Sequence, residues 1–209
     1  MKEHAILFST PMVQAILQGR KTQTRRVIKP QPDSEPYFAG KVNMWYAENK
    51  PKGLSDCPYG QPGDLLWVRE TWKKADIPEA DGPFEYKASL QNPSAEWNKG
   101  IWKPSIHMPK AAARIWLKVK DVRVECLQKI SQKDAIAEGI ETLGKRSLTI
   151  DKPYYKNYIS DDWENGWLNP INSFDSLWCK INGEQSWYAN PWVWVVEFEV
   201  VSTTGKPKK

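Results

Sequence analysis

The sequence is poor in the side chains that usually hold metals. It has two histidines and three cysteines, and the cysteines are far apart and never form a Cys-x-x-Cys pair. This pattern argues against a zinc site of the usual spacing and against a disulfide framework. We therefore expect no metal and no cofactor, and we expect reduced, mostly structural thiols at Cys57, Cys126 and Cys179.

Long apolar runs are also missing. No segment approaches the roughly 18 consecutive apolar residues of a membrane-spanning helix, and the first residues lead into a short strand and not into a signal-peptide core. We therefore expect a cytoplasmic protein with no membrane partner. Hydrophobic residues make up 40% of the chain and charged residues 26%, values close to those of globular domains, so disorder is not expected.

The excess of positive charge is small once the C-terminus is set aside. The formal net charge is +5, but three lysines lie in a Gly/Pro/Lys tail after residue 201. Net charge alone therefore does not predict a nucleic-acid partner. The 12 tryptophans are more informative, because indole rings can stack on bases, although most are expected to pack in the core or at its rim.

Seven segments repeat apolar residues with the period of a strand or a helix, and the helical ones are followed by glycine. The predicted strands are 5–8, 65–68, 114–126 and 192–201, and the predicted helices are 10–17, 131–138 and 174–181. In the third strand the apolar face changes parity near Lys120 and Asp121, which predicts a bulge or bend of the kind that closes small barrels. The pattern favours an α+β fold built on a bent or barrelled sheet.

The remaining stretches are rich in proline, glycine and polar residues. They comprise residues 27–62, 73–104 and 141–170, which we interpret as long turn-rich insertions. No internal repeat and no domain boundary is evident. The sequence therefore predicts a single domain over residues 1–201, followed by a flexible basic tail at 202–209.

The most informative segment directly follows the first helix. Gly19-Arg20-Lys21-Thr22-Gln23-Thr24-Arg25-Arg26 places four cations and two hydroxyls within a few residues. Such a loop can bind phosphate through arginine side chains, or it can hold a lysine among like charges so that the pKa of the lysine falls. A solvated basic turn without a function is the other interpretation.

This segment resembles the Gly-Arg-Lys-Thr-x-Thr-x-Arg signature of the ASCH domain family, part of the PUA-like superfamily of β-barrels. In small bacterial ASCH enzymes that hydrolyse N4-acetylcytidine, the lysine, the second threonine and a later helix glutamate form the catalytic set. The resemblance implies a PUA-like small β-barrel with peripheral short helices. It also implies catalytic roles for Lys21, Thr24 and Glu138, the last in the predicted helix 131–138.

Further candidates for substrate binding lie in the signature and beyond it. Arg26 ends the signature and would stabilise negative charge or hold a phosphate. Arg69, Glu70 and Trp72 follow a buried strand. Arg69 and Glu70 would hydrogen-bond a pyrimidine or pair with each other. Trp72 would stack on the base or pack at the rim of the barrel. His107 would contact a base edge or form a structural hydrogen bond. The sequence around these residues resembles longer ASCH proteins common in phage and prophage genomes.

The resemblance implies removal of the acyl group from N4-acetylcytidine or a related N4-acylated cytosine nucleoside. Thr24 would be the nucleophile, Lys21 its base and Glu138 the acid. Two alternatives use the same cationic pocket: a non-catalytic module that binds RNA or a modified base, and a ribonuclease. The expected partner is therefore a nucleoside or RNA.

Overall fold

The structure is a computed structural model that describes residues 1–40, 44–47, 57–79, 82–90, 101–147, 150–160 and 165–207. The strands in this part of the chain are β1 (Glu3–Leu7), β2 (Gln23–Val27), β3 (Tyr37–Ala39), β4 (Met44–Tyr46), β5 (Leu65–Arg69), β6 (Trp72–Glu79), β7 (Gly82–Tyr86), β8 (Trp116–Cys126), β9 (Thr142–Ser147), β10 (Ile150–Tyr155) and β11 (Trp192–Ser202). The α-helices are α1 (Thr10–Leu17), α2 (Gln132–Ala137), α3 (Pro170–Asn182) and α4 (Gln185–Tyr188). None of these helices has the length and apolar character needed to cross a bilayer.

Five strands form a mixed sheet in the order β1-β5-β8-β11-β2. Strand β1 runs parallel to β5, β5 runs antiparallel to β8, and β11 runs antiparallel to β2. A mixed sheet with a few short helices confirms the predicted α+β class. The closure of this sheet into a PUA-like barrel stays a prediction.

The chain divides into two compact units, and unit 1 consists of Met1–Gly19, Tyr59–Lys120 and Phe198–Lys209. Helix α1 begins with Pro11 in its first turn, where the missing N–H has no intrahelical partner to lose. A cluster of buried side chains fills part of this unit, and it contains Leu65, Trp72, Met108, Ala112, Ala113 and Trp116.

Unit 2 consists of Arg20–Pro58 and Asp121–Glu197. Strand β2 pairs with β11 from Val27 opposite Val193 to Gln23 opposite Glu197. Helix α3 is capped by the Asn169 side chain, which accepts a hydrogen bond from the Ile171 N–H at 3.0 Å. Helix α2 packs against both α3 and β2, so the N-terminal loop of this unit lies against a helix end.

Strand β11 departs from the predicted alternation. The sequence predicts that Trp192, Trp194, Val196, Phe198 and Val200 face inward and that Glu197 and Glu199 face outward. Val193 and Val195, which lie between the inward positions, are nevertheless 0% exposed, and so is Val196. An interior strand that is covered on both faces forms a continuous apolar run, so period two is lost there. Val200, predicted to face inward, is 41% exposed.

Each of the three predicted insertions contains a two-stranded antiparallel sheet where the sequence predicted only turns. These sheets are β3–β4, β6–β7 and β9–β10. Two of them have register shifts, and Pro153 lies within β10, so a simple alternation of apolar and polar residues is not visible in the sequence. Residues 41–43, 48–56, 80–81, 91–100, 148–149 and 161–164 of these predicted insertions, and residues 208–209 of the predicted tail, lie outside the described residues.

Candidate functional site

The loop that carries the sequence motif lies against the end of helix α2. Lys21 forms an antiparallel bridge with Glu138, and the Thr22 N–H donates to the carbonyl of Ala137 at 2.9 Å. Glu138 is the C-cap of α2, and Gly139 follows it with φ of 86°, a left-handed conformation that favours glycine. Backbone bonding therefore holds together two residues that are 117 positions apart in the sequence.

Lys21 is buried, and its amine contacts the predicted catalytic glutamate. Nζ donates to Glu138 Oε2 at 2.9 Å, to the Glu138 carbonyl at 2.8 Å and to the Gln23 carbonyl at 2.7 Å. Burial lowers the pKa of Lys21, the Glu138 carboxylate opposes this lowering, and the charges of Arg26 and Arg25 add to it. The predicted base and the predicted acid therefore lie in direct contact, in a place where burial favours loss of the lysine proton.

Arg25, which the sequence did not single out, links Glu138 to two further carboxylates. Its side chain is 0% exposed, and Nη1 donates to Glu138 Oε1 at 3.0 Å. Its Nε donates to Glu125 Oε1 at 3.1 Å, and Nη2 lies 3.5 Å from Asp134 Oδ2. One guanidinium thus holds three acidic side chains from β8, α2 and the end of α2.

Arg123 extends this network. It lies 3.2 Å from Asp134 and 3.4 Å from Glu125, and it also pairs with Glu197. Burial raises the pKa of Asp134, but hydrogen bonds at Ser131 and the charges of Arg123 and Arg25 outweigh it and lower that pKa. We call this group the charge cluster, and its members are Lys21, Arg25, Arg123, Glu125, Asp134, Glu138 and Glu197.

The charge cluster contains three cations and four carboxylates that pair with one another. Arg20, the first cation of the motif, donates from Nη1 to the carbonyl of Gly139 at 2.7 Å. The motif therefore forms a network of internal pairs around Lys21, and it is not an open patch of positive charge.

Thr24 and Arg26 lie on β2, opposite Val196 and Trp194 of β11. Successive side chains of a strand point to opposite faces, so these two leave β2 on the face opposite to Arg25. Thr24 is 4% exposed. Lys21 Nζ bonds the carbonyl of the residue before Thr24, so the amine lies beside the peptide that leads into Thr24.

The predicted binding residue Glu70 belongs to unit 1, where it pairs with an arginine that the sequence did not single out. Arg114 Nε donates to Glu70 Oε1 at 2.9 Å, and Nη2 donates to Oε2 at 2.9 Å. The Arg114 guanidinium lies over the Tyr86 ring, 4.1 Å from its centre. Because Glu70 is 1% exposed, this fork satisfies a carboxylate that would otherwise be buried alone.

Three more of the predicted binding residues also lie in unit 1. Trp72 is buried and packs edge-on against Phe84, with 5.5 Å between the ring centres. Arg69 donates to the carbonyl of Ile106, and His107 is exposed in a short 3-10 turn. In this structure Trp72 therefore has the packing role that the sequence left open beside base stacking.

Part of the charge cluster could have been recognised from the sequence. Gln23 and Arg25 have the same parity on β2, so they share one face. Asp134 and Glu138 are four residues apart, which places them on one side of α2 and its end. Arg114 and Glu70 have no such signal, because their contact depends on the pairing of β5 with β8.

No family model matches the sequence, and no curated protein matches it. Among solved structures, a protein from Enterococcus faecalis with the family model DUF984 is similar over 100% of this chain and 86% of that chain, at 10% identity and a TM-score of 0.44. An ASCH domain from Lactobacillus crispatus is similar over 96% of this chain and 80% of that chain, at 13% identity and a TM-score of 0.37. At this level of similarity, the roles of individual residues depend on the loop motif and on the contacts within this chain.

Proposed function

We propose that this chain is an ASCH-type hydrolase that removes the acyl group from N4-acetylcytidine or a related N4-acylated cytosine nucleoside. The observation that carries the proposal is the buried contact of Lys21 Nζ with Glu138 Oε2, 2.9 Å apart, within the motif that resembles the family's catalytic loop. Hydrolysis of an amide needs one group that accepts a proton and another that donates one, and this pair supplies both.

The pair can exist in two proton states. With the proton on Nζ, Lys21 is an ammonium ion and Glu138 is a carboxylate. Transfer of that proton to Oε2 gives an amine and a carboxylic acid, and burial assists the loss of the lysine proton because it lowers the pKa of Lys21. In the neutral form, Lys21 would accept a proton from the Thr24 hydroxyl, a step that requires Thr24 Oγ1 to reach Nζ from the face of β2 opposite to Arg25.

Acyl transfer then proceeds through Thr24. Its oxygen bonds to the acyl carbon while Lys21 takes the hydroxyl proton, and the bond from that carbon to N4 breaks as N4 takes the proton of Glu138. Arg26 would stabilise the negative charge on the acyl oxygen. The products of this step are the free cytosine amine, acyl-Thr24, the Lys21 ammonium ion and the Glu138 carboxylate.

A water molecule completes the reaction. Glu138 accepts a proton from the water, whose oxygen attacks the acyl carbon, and Thr24 leaves with a proton from Lys21. The carboxylic acid is released, and the neutral pair is restored. Each side chain of the pair thus gives and accepts one proton in a cycle, and the sum is the addition of one water to one amide.

The alternatives that rely on RNA have less support from the contacts. Binding of a phosphate needs cations that are available to it. Lys21 and Arg25 face carboxylates in the charge cluster, and Arg20 donates to the backbone. No contact in the described part of the chain specifically favours a non-catalytic RNA module or a ribonuclease.

The test is hydrolysis of N4-acetylcytidine by the purified protein, measured as release of cytidine. Thr24→Ala and Lys21→Met should each lower kcat/KM by about 100-fold or more, because each removes a nucleophile or its base. Thr22→Ala is the matched control, since Thr22 carries the other hydroxyl of the motif and is exposed. Turnover by Thr24→Ala at the parent rate would refute the nucleophile, and absence of turnover by the parent would refute the function.

A further inference from the structure

The Glu138 carboxylate is held from both sides. Oε2 accepts from Lys21 Nζ at 2.9 Å, and Oε1 accepts from Arg25 Nη1 at 3.0 Å. Arg25 is fixed in turn by Glu125 and Asp134, and its guanidinium carbon lies 5.8 Å from the centre of the Phe174 ring. Since a guanidinium presents its donors in a rigid planar fork, this anchoring fixes the rotation of the carboxylate.

We propose that Arg25 is the positioning residue of this site, which aims Glu138 at Lys21 and keeps the two groups in a geometry that lets them exchange a proton. This inference rests on the proposed function, and it assigns a role to a residue that the family motif leaves variable. Arg25 touches Glu138 and not the reacting atoms, so its effect on the reaction would pass through Glu138 and Lys21.

The charges around Lys21 determine the direction in which loss of Arg25 would move the pKa of Lys21. Glu138 acts on it from the end of α2, and Arg25 and Arg26 act on it from β2. Beyond Arg25 lie three acidic groups of the charge cluster, Glu125 on β8, Asp134 on α2 and, through Arg123, Glu197 on β11.

Loss of the Arg25 charge would favour the Lys21 ammonium ion for two reasons. It removes a nearby positive charge, and it leaves Glu125 and Asp134 with one cation fewer. Lys21 would then lose its proton only at a higher pH. The rate of a reaction that needs neutral Lys21 would therefore also rise only at a higher pH.

The experiment measures kcat and KM for N4-acetylcytidine between about pH 5 and 10 in the parent, Arg25→Gln and Arg25→Lys. In Arg25→Gln, the rise of kcat/KM with pH should shift to higher pH, because the Arg25 charge lowers the pKa of Lys21. Arg25→Lys keeps the charge and loses the fork, so its pH profile should stay near that of the parent while kcat falls about tenfold or more. KM should change little in both variants, because Arg25 is not assigned a substrate contact.

Arg123→Gln is the matched control. Arg123 is the other arginine of the charge cluster, and it contacts Glu125, Asp134 and Glu197. Its removal also leaves Glu125 and Asp134 with one cation fewer, but it takes no charge from beside Lys21, so it should lower stability and shift the pH profile less than Arg25→Gln does. An equal shift in Arg123→Gln and Arg25→Gln would overturn the specific role of Arg25.

A second readout does not depend on turnover. Titration of the Lys21 amine, followed by NMR in protein with 15N-labelled lysine and assigned with Lys21→Met, should move to higher pH in Arg25→Gln. If this titration and the pH profile both stay at the parent values, the positioning role is refuted while the proposed function stands. If the parent hydrolyses no substrate but the titration moves, the proposed function fails and the coupling of Arg25 to the pair is supported.

Discussion

Replacing Glu138 with glutamine retains the shape of the side chain and removes its charge, so it tests the buried pair directly. The Glu138 side chain is 5% exposed and meets Lys21 at 2.9 Å and Arg25 at 3.0 Å. Removal of one partner from a buried pair typically costs about 3–5 kcal/mol. Arg25 keeps Glu125 and Asp134, and Lys21 keeps two carbonyl acceptors, so we expect Glu138→Gln to lower the free energy of unfolding by about 3 kcal/mol at pH 7.

An exposed ion pair with a nearly equal distance between nitrogen and oxygen provides the comparison. Lys156 Nζ lies 3.0 Å from Glu141 Oε2, with side-chain exposures of 39% and 48%. Pairs of this kind contribute about 0–1 kcal/mol because water screens them. Glu141→Gln should therefore cost less than about 1 kcal/mol, and the difference between the two variants measures the effect of burial.

The pH dependence of stability follows from the lowered pKa of Lys21. Burial lowers this pKa in the folded state below the ordinary value of 10.5. Between the folded pKa and the unfolded pKa, the unfolded chain binds more protons, so the free energy of unfolding rises with pH in that window. Glu138→Gln removes the carboxylate that opposes the lowering, so the rise should begin at a lower pH. Lys21→Met should abolish this contribution.

Urea unfolding followed by tryptophan fluorescence, repeated from pH 6 to pH 10, measures each of these quantities. The double variant Lys21→Met/Glu138→Gln should lose about 1–3 kcal/mol less than the sum of the two single losses, because the residues are in contact. The reasoning is refuted if Glu138→Gln costs no more than Glu141→Gln. It is also refuted if the losses of the two single variants add fully.

Two further substitutions test contacts that place the candidate residues. Arg114→Lys should lower the free energy of unfolding by about 2–3 kcal/mol, because lysine cannot form both 2.9 Å bonds to the buried Glu70 carboxylate. Thermal and urea unfolding measure the loss. A variant as stable as the parent would contradict a stabilising role for the two hydrogen bonds from Arg114 to Glu70. Ser131→Ala should cost about 1 kcal/mol, since Ser131 Oγ accepts from the Asp134 N–H at 3.1 Å and caps helix α2. An unchanged urea midpoint in Ser131→Ala would show that this cap contributes nothing.

The local part of the site could be predicted from the sequence. Ser131 as a cap and Gly139 as a terminator define α2 on either side, and they place Glu138 at the end of the helix. The contact of Lys21 with Glu138 could not be predicted from spacing, because 117 positions separate the two residues. It was implied by the resemblance of the loop to a known family.

The long-range part could not be predicted, for a physical reason. Parity on β2 and four-residue spacing on α2 indicate which side chains share a face, but not which two faces meet. The pairing of Arg114 with Glu70 depends on the register of β5 against β8, in which Leu65 lies opposite Lys118 and Trp67 opposite Trp116. Register of this kind is set by packing over the whole sheet, and a single segment does not reveal it.

The energetics of the charge cluster favour a functional explanation for it. Buried ions lose their hydration, and a well-packed apolar group of similar volume is often as stable or more stable than a buried pair. Lys21, Arg25 and Glu138 all have side chains that are at most 5% exposed, so their desolvation is close to complete. A network of this kind is therefore a weak device for stability, whereas it suits the movement of a proton between an amine and a carboxylate. For this reason, the same contacts that make the motif a poor phosphate site are compatible with the acid and base roles proposed for Lys21 and Glu138.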